Sequence, residues 1–142
     1  MTAPAFTEYE EAVKLWGSEV LSFPLEEQNG FLLTDGFLEW ITPGTDLVLL
    51  GQPNNPTGRT VPLPLLDEIF RQCQRVGAYL AVDECFLEFL DQPEGFTLLP
   101  RLMEGNLLIL RAFTKSYGMA GLRLGWCACG DRELLARMRE SS

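Results

Sequence analysis

Histidine is absent from the 142 residues, lysine occurs only at Lys14 and Lys115, and cysteine only at positions 73, 85, 127 and 129. Without histidine there is no Ser-His or Cys-His nucleophile pair, so any general base must be lysine, carboxylate or tyrosine. The cysteines lack CxxC spacing, which argues against a structural metal. Cys127 and Cys129 stand two apart in an apolar segment and read as small core residues on one strand face. Cations are scarce too: 11 basic against 20 acidic side chains give a net charge of -9. Such a chain is repelled by nucleic-acid phosphates and anionic membranes, so neither is an expected partner. No run approaches the roughly 20 apolar residues that cross a bilayer. Met1-Thr2-Ala3-Pro4 has neither a basic start nor an apolar signal core, and the expected location is cytoplasmic.

What is present is enough apolar residue, 46% of the chain, for one core. Thr7 and Glu10 read as a capping box opening a helix in which Tyr9, Ala12, Val13 and Trp16 recur before Gly17. Glu19 to Phe23 reads as a short strand, Gln28 to Thr34 as an extended or hairpin stretch around Asn29-Gly30, and Gly36 to Ile41 as a helical turn. Asp46 to Leu50 is an apolar strand followed by the loop Pro53-Asn54-Asn55-Pro56-Thr57-Gly58. Pro64 suits the first turn of a helix bearing Leu65, Ile69, Cys73 and Val76 and ending at Gly77. Ala78 to Val82 and Leu107 to Leu110 are further apolar strands. Pro100 to Glu104 reads as a short crossover helix, Trp126 to Cys129 as a strand, and Asp131 to Arg139 as a helix with Leu134, Leu135 and Met138 inward. Strands apolar on both faces and alternating with helices predict an α/β fold with a mostly parallel sheet flanked by helices.

In such folds ligands bind at the carboxyl ends of the strands. Three of those ends carry polar side chains: Asn55, Asp83 and Lys115. Each has an ordinary reading, as turn residue, cap and surface lysine respectively. Together they match a chemical need. A lysine at a strand end, desolvated and near another cation such as Arg123, can form a Schiff base with an aldehyde, and the arrangement suggests pyridoxal 5'-phosphate. That cofactor also needs a carboxylate to keep its pyridine nitrogen protonated and a donor for its phenolate oxygen.

The blocks Asn54-Asn55-Pro56-Thr57-Gly58, Val82-Asp83-Glu84-Cys85-Phe86 and Thr114-Lys115 through Gly121-Leu122-Arg123-Leu124-Gly125 resemble the signature segments of class I/II aminotransferases, fold-type I pyridoxal phosphate enzymes. Asn55, Asp83, Lys115 and Arg123 follow one another at separations of 28, 32 and 8 residues. The chain is most similar to the branch holding histidinol-phosphate aminotransferase and threonine-phosphate decarboxylase. Asp83 to Phe89 and Leu110 to Lys115 lean towards the decarboxylase. The resemblance implies that Lys115 forms the internal aldimine and later shuttles a proton, while Asp83 pairs with the pyridinium nitrogen. It further implies that Asn55 donates to the phenolate oxygen and that Arg123, with Thr114, clamps the phosphate. Phe6 matches the position of an aromatic ring stacked on the pyridine, and reads equally as a hydrophobic staple before the first helix.

Two positions depart from the family pattern. Phe86 stands where transaminases of this branch carry a tyrosine, and Ala112 where many relatives carry a serine or threonine. Each loss removes about 1 kcal/mol of cofactor binding, and Phe86 shifts weight to the decarboxylase reading. By resemblance residues 1–142 are the central part of a cofactor-binding large domain, with the N-terminal phosphate-binding segment and the C-terminal small domain outside them. The implied parent is a homodimer acting on an amino acid or amino phosphate. Its reaction is threonine-phosphate decarboxylation in cobalamin biosynthesis or a histidinol-phosphate-type transamination. The competing expectation is a non-catalytic fragment or pyridoxal-binding module.

Overall fold

The chain enters through a two-residue strand, β1 (Thr2–Ala3), followed by helix α1 (Thr7–Leu15) and a second two-residue strand, β2 (Phe23–Pro24), parallel to the first. The structure, a computed structural model, describes residues 1–140. The main sheet follows with β3 (Leu47–Gly51), helix α2 (Leu63–Val76), β4 (Tyr79–Asp83), β5 (Leu107–Ala112), the short helix α3 (Phe113–Ser116) and β6 (Gly125–Cys129). Helix α4 (Arg132–Glu140) comes last. The strands lie in the order β3-β4-β5-β6. The first three are parallel, as expected, and β6 is antiparallel to β5. A parallel return needs a crossover of a dozen or more residues, usually helical. Here the connection folds back locally, tied at its base where Phe113 N–H donates to Leu124 O at 3.0 Å.

Alternation along the strands sends Val48, Leu50, Leu80, Val82, Leu107 and Ile109 to one face, where they meet Leu66, Ile69, Phe70 and Cys73 of α2. Pro64 occupies the first turn of α2, where a missing N–H costs nothing, and Gly77 ends it in the left-handed region at φ 81°. Burial pushes the Cys73 thiol up to about 12. Each aliphatic or aromatic side chain buried here contributes about 1.5–3 kcal/mol. On the opposite face Ala81, Leu108 and Cys129 form a smaller cluster with Cys127, Leu134 and Leu135, so Cys127 and Cys129 share one face and α4 covers it. Met138, expected inward, is 39% exposed, whereas Leu134 and Leu135 pack against the sheet as expected.

Several expectations in the N-terminal third are corrected. Thr7 is already helical and Phe6 is the cap residue, with no side-chain cap bond. The Thr7 hydroxyl therefore stands one position too late to cap, and Glu10 pairs with Lys14 instead, at 2.5 Å. Of the helical row, Tyr9 and Val13 are half-buried while Ala12 and Trp16 are exposed. The strand expected over residues 19–23 shrinks to Phe23–Pro24, the only part that has Thr2–Ala3 to pair with. No hairpin forms around Asn29-Gly30. A 3-10 turn over Glu27–Asn29 closes there, with Gly30 left-handed. The helical turn expected over residues 36–41 and the short crossover helix expected over 100–104 are 3-10 turns over Asp35–Trp40 and Leu99–Glu104.

Asp131 docks α4 to the sheet. Its Oδ1 accepts the N–H groups of Glu133 and Leu134 at 2.9 and 3.0 Å, and its Oδ2 accepts the Tyr79 hydroxyl at 2.5 Å. The Tyr79 hydrogen bond, helped by the backbone donors, holds the Asp131 carboxyl below its ordinary 3.8. A carboxyl depressed on folding stabilises above its unfolded pKa and loses that contribution as pH falls through the folded value. The melting temperature of the wild type is therefore expected to fall more steeply below about pH 4 than that of Asp131→Asn. Parallel acid limbs in the two titrations would show the bond to be without consequence.

Candidate functional site

Parallel pairing of Gly51 with Asp83, and of Asp83 with Leu110, brings the carboxyl ends of β3, β4 and β5 level. The backbone continues the alignment past the strands, with Gln52 N–H donating to Asp83 O and Glu84 N–H to Leu110 O, each at 2.8 Å. The three expected residues thus emerge from adjacent strand ends: Asn55 on the loop after β3, Asp83 at the end of β4, and Lys115 on α3 directly after β5.

Asp83 is held at both oxygens. Tyr9 of α1 donates its hydroxyl to Oδ2 at 2.5 Å, and Cys85 N–H donates to Oδ1 at 2.9 Å. Burial first, and the Asp83 bond second, push the Tyr9 phenol far above its ordinary value, so it remains a donor through neutral and alkaline pH. Tyr9→Phe removes this donor from a half-buried carboxylate and is expected to cost about 1–3 kcal/mol by urea denaturation. A variant as stable as the wild type would contradict the bond. Phe6 is 41% exposed and meets Tyr9 edge-on, with ring centroids 5.5 Å apart. It therefore stands beside the Asp83 partner, and as the cap residue itself it is not placed as a staple.

Lys115 Nζ lies 5.6 Å from the centroid of the Phe86 ring. Among the described residues it forms no ion pair. The desolvation expected of it is not found: Lys115 is exposed, while Phe113 and Thr114 of the same single helical turn are half-buried. Cys85 sits between the charges. Its thiol is pushed up to about 12, chiefly by burial and then by Asp83, with Lys115 acting in the opposite sense. Cys85 therefore stays a neutral thiol at neutral pH and is a poor nucleophile.

Asn55 is half-buried, and its neighbour Asn54 holds the loop: Asn54 Nδ2 donates to Pro4 O at 3.0 Å and to Thr57 Oγ1 at 2.9 Å. Thr114 is half-buried and Arg123 exposed. The Phe113–Leu124 bond places them one position further along the same antiparallel base, with Arg123 left-handed at φ 50°. Gly125 permits this close return, since a Cβ there would lie 2.8 Å from Arg111 O. A cleft of about 120 Å³ opens at the β5 end, lined by Glu84, Cys85, Glu88, Arg111, Phe113 and Trp126 among others. It does not include Asn55, Asp83 or Lys115.

The donor set fits pyridoxal phosphate. An amine and a guanidinium that form no ion pair among the described residues, with a fixed carboxylate and the Thr114 hydroxyl, would provide for an aldehyde, a phosphate and a pyridinium. Sequence reasoning missed Tyr9, which looked like one more residue of a helical row; nothing in its spacing pointed to a partner 74 residues away. It also assigned no role to Gln52, fully buried between β3 and the loop, or to Glu84 and Arg111. A polar residue closing an apolar run was the available signal.

The profile of the aminotransferase class I and II family matches residues 1–142. The chain belongs to this family. Its members are pyridoxal phosphate-dependent aminotransferases and decarboxylases. The chain is 39% identical over 140 residues to threonine-phosphate decarboxylase of Salmonella typhimurium, covering 98% of this chain and 38% of that protein. It is 35% identical to histidinol-phosphate aminotransferase of Oleidesulfovibrio alaskensis, over 87% of this chain and 32% of the relative. Among solved structures, the histidinol-phosphate aminotransferase of Clostridium acetobutylicum superimposes with a TM-score of 0.90 at 25% identity, covering 99% of this chain and 42% of that one. This aminotransferase-family chain therefore spans about a third to two-fifths of the length of these curated relatives.

Proposed function

We propose that residues 1–142 are the central part of the cofactor-binding large domain of a pyridoxal phosphate enzyme that acts on an amino acid or amino phosphate. The observation that supports this reading is that Asp83, held at both oxygens, ends β4 while Lys115, in no ion pair among the described residues, lies on the helical turn directly after the adjacent strand β5. When bound, the cofactor supplies an electron sink for a carbanion at the substrate α carbon. Lys115 would hold the cofactor through its aldehyde and would carry a proton to or from the substrate carbon. Asp83, its carboxylate fixed by Tyr9 and Cys85 N–H, would face the pyridine nitrogen and favour its protonated form. Asn55 would donate to the phenolate oxygen, Arg123 and Thr114 would hold the phosphate, and Phe6 would offer an aromatic face next to Tyr9.

For the whole enzyme the reading is threonine-phosphate decarboxylase-like, supported by 39% identity to such a protein and by Phe86 in place of a tyrosine. Its product would be an aminopropanol phosphate of use in cobalamin biosynthesis. The second reading, a histidinol-phosphate-type aminotransferase, is supported by the relative and the superimposed structure of that name. A homodimeric, cytoplasmic parent goes with either. The test is to incubate the chain with pyridoxal phosphate, reduce with borohydride and map the peptides. One adduct on Lys115, lost in Lys115→Ala, is expected. No adduct, or equal labelling of Lys14 and Lys115, would identify a non-catalytic fragment.

A further inference from the structure

Behind the candidate site, on the α2 face of the sheet, a second polar cluster joins the same three strand ends. Glu84 is only 1% exposed. Its Oε2 accepts from Arg111 Nε at 3.0 Å and Nη2 at 2.8 Å, and its Oε1 accepts the Thr97 hydroxyl at 2.7 Å. Arg111 Nη1 also donates to Glu88 Oε1 at 3.0 Å, and the guanidinium lies 5.5 Å from the Trp126 ring centroid. Next to Thr97, Phe96 O accepts from Gln52 Nε2 at 3.1 Å. The same Gln52 amide, 0% exposed, closes the loop by bonding Val61 O and Val61 N at 2.8 Å each. The segment around Phe96 and Thr97 is thus a strap that ties the end of β3 to the ends of β4 and β5.

Burying a carboxylate and a guanidinium is a poor way to gain stability, because apolar residues of like volume hold strands together at least as well. What such a pair adds is direction. Two donors on one carboxylate oxygen and a hydroxyl on the other fix both the separation and the rotation of the groups they join. Each member stands close in sequence to a site residue: Gln52 before Asn55, Glu84 directly after Asp83, and Arg111 one helical turn before Lys115. We propose that the Glu84–Arg111 ion pair, extended through Thr97 and the strap to Gln52, is a positioning network that sets the spacing of Asn55, Asp83 and Lys115. It rests on the reading of those three as one site.

The test uses the whole chain without cofactor. Reductive methylation with carbon-13 formaldehyde tags the N-terminal amine, Lys14 and Lys115, and NMR follows each dimethylamino resonance against pH. Wild type, Thr97→Val and Thr97→Ser are compared. Thr97→Val removes one hydroxyl and no charge, so a change at Lys115 reports altered geometry and not lost Coulomb attraction. The Lys115 resonance is expected to shift in Thr97→Val and return in Thr97→Ser, while Lys14, in its pair with Glu10, stays constant. A lowered melting temperature with Lys115 unmoved is what a purely structural role would give, and it overturns the proposal. If Thr97→Val does not fold, Gln52→Asn shortens the same network by one methylene without changing charge and carries the same two outcomes. Failure of pyridoxal phosphate to label Lys115 sinks the cofactor reading and leaves this result standing.

Discussion

Arg111→Met is expected to lower the free energy of unfolding by about 3–5 kcal/mol, because it leaves a buried carboxylate without its cation. The Glu84 side chain is 0% exposed and that of Arg111 20%, so in the folded chain Glu84 depends on Arg111 and Thr97 for its partners. The double variant Glu84→Leu/Arg111→Met should recover most of the loss, since no charge then remains to be desolvated. Glu88→Gln, at the 42% exposed rim of the same cluster, should stay within about 1 kcal/mol of the wild type. Urea denaturation at neutral pH measures all four proteins. An unchanged midpoint for Arg111→Met would mean that Glu84 is not held as a buried anion.

Gln52→Leu should cost about 3 kcal/mol or more, with a different signature. The substitution preserves volume but strands the N–H and C=O of Val61 and the C=O of Phe96, each worth about 1–3 kcal/mol when buried without a partner. The effect is focused on the loop that bears Asn55. Inside it, Asn54 N–H donates to Arg59 O at 2.8 Å and Gly58 N–H to Asn54 O at 2.7 Å. Hydrogen exchange at these two amides should accelerate ahead of the amides of α2, showing local opening before global unfolding. Equal acceleration throughout would instead mean that Gln52 contributes to the core and not to the loop.

The elements legible in the sequence were those whose pattern is set locally. Helix α2 carries its own periodic face, proline and terminal glycine, and β3, β4 and β5 are short apolar runs that only a covered sheet accommodates. Their order brought Asn55, Asp83 and Lys115 to one edge without any coordinate. The N-terminal third was illegible for the opposite reason. The pairing of Phe23–Pro24 exists only because Thr2–Ala3 runs beside it, and Phe31 adopts φ 61°, which no composition rule foresees. The exposure of Lys115 was misjudged because an apolar strand leading to a residue says nothing about what covers the turn after it. Tyr9 and Glu84 were hidden by distance along the chain, since a hydrogen bond across 74 residues leaves no periodicity.

Asp83 and Glu84 are neighbours of the same charge and nearly the same chemistry, yet strand alternation sends one to Tyr9 and the other to Arg111 and Thr97. Only the register of β4 against β3 and β5 tells them apart. A slip of one residue during folding would bring the longer Glu84 into the Asp83 position and Cys85 into that of Glu84, withdrawing the anion that Arg111 requires. The doublet thus acts as a proofreading mark, because a β4 slipped by that one residue loses the Glu84–Arg111 pair and the Asp83–Tyr9 bond together.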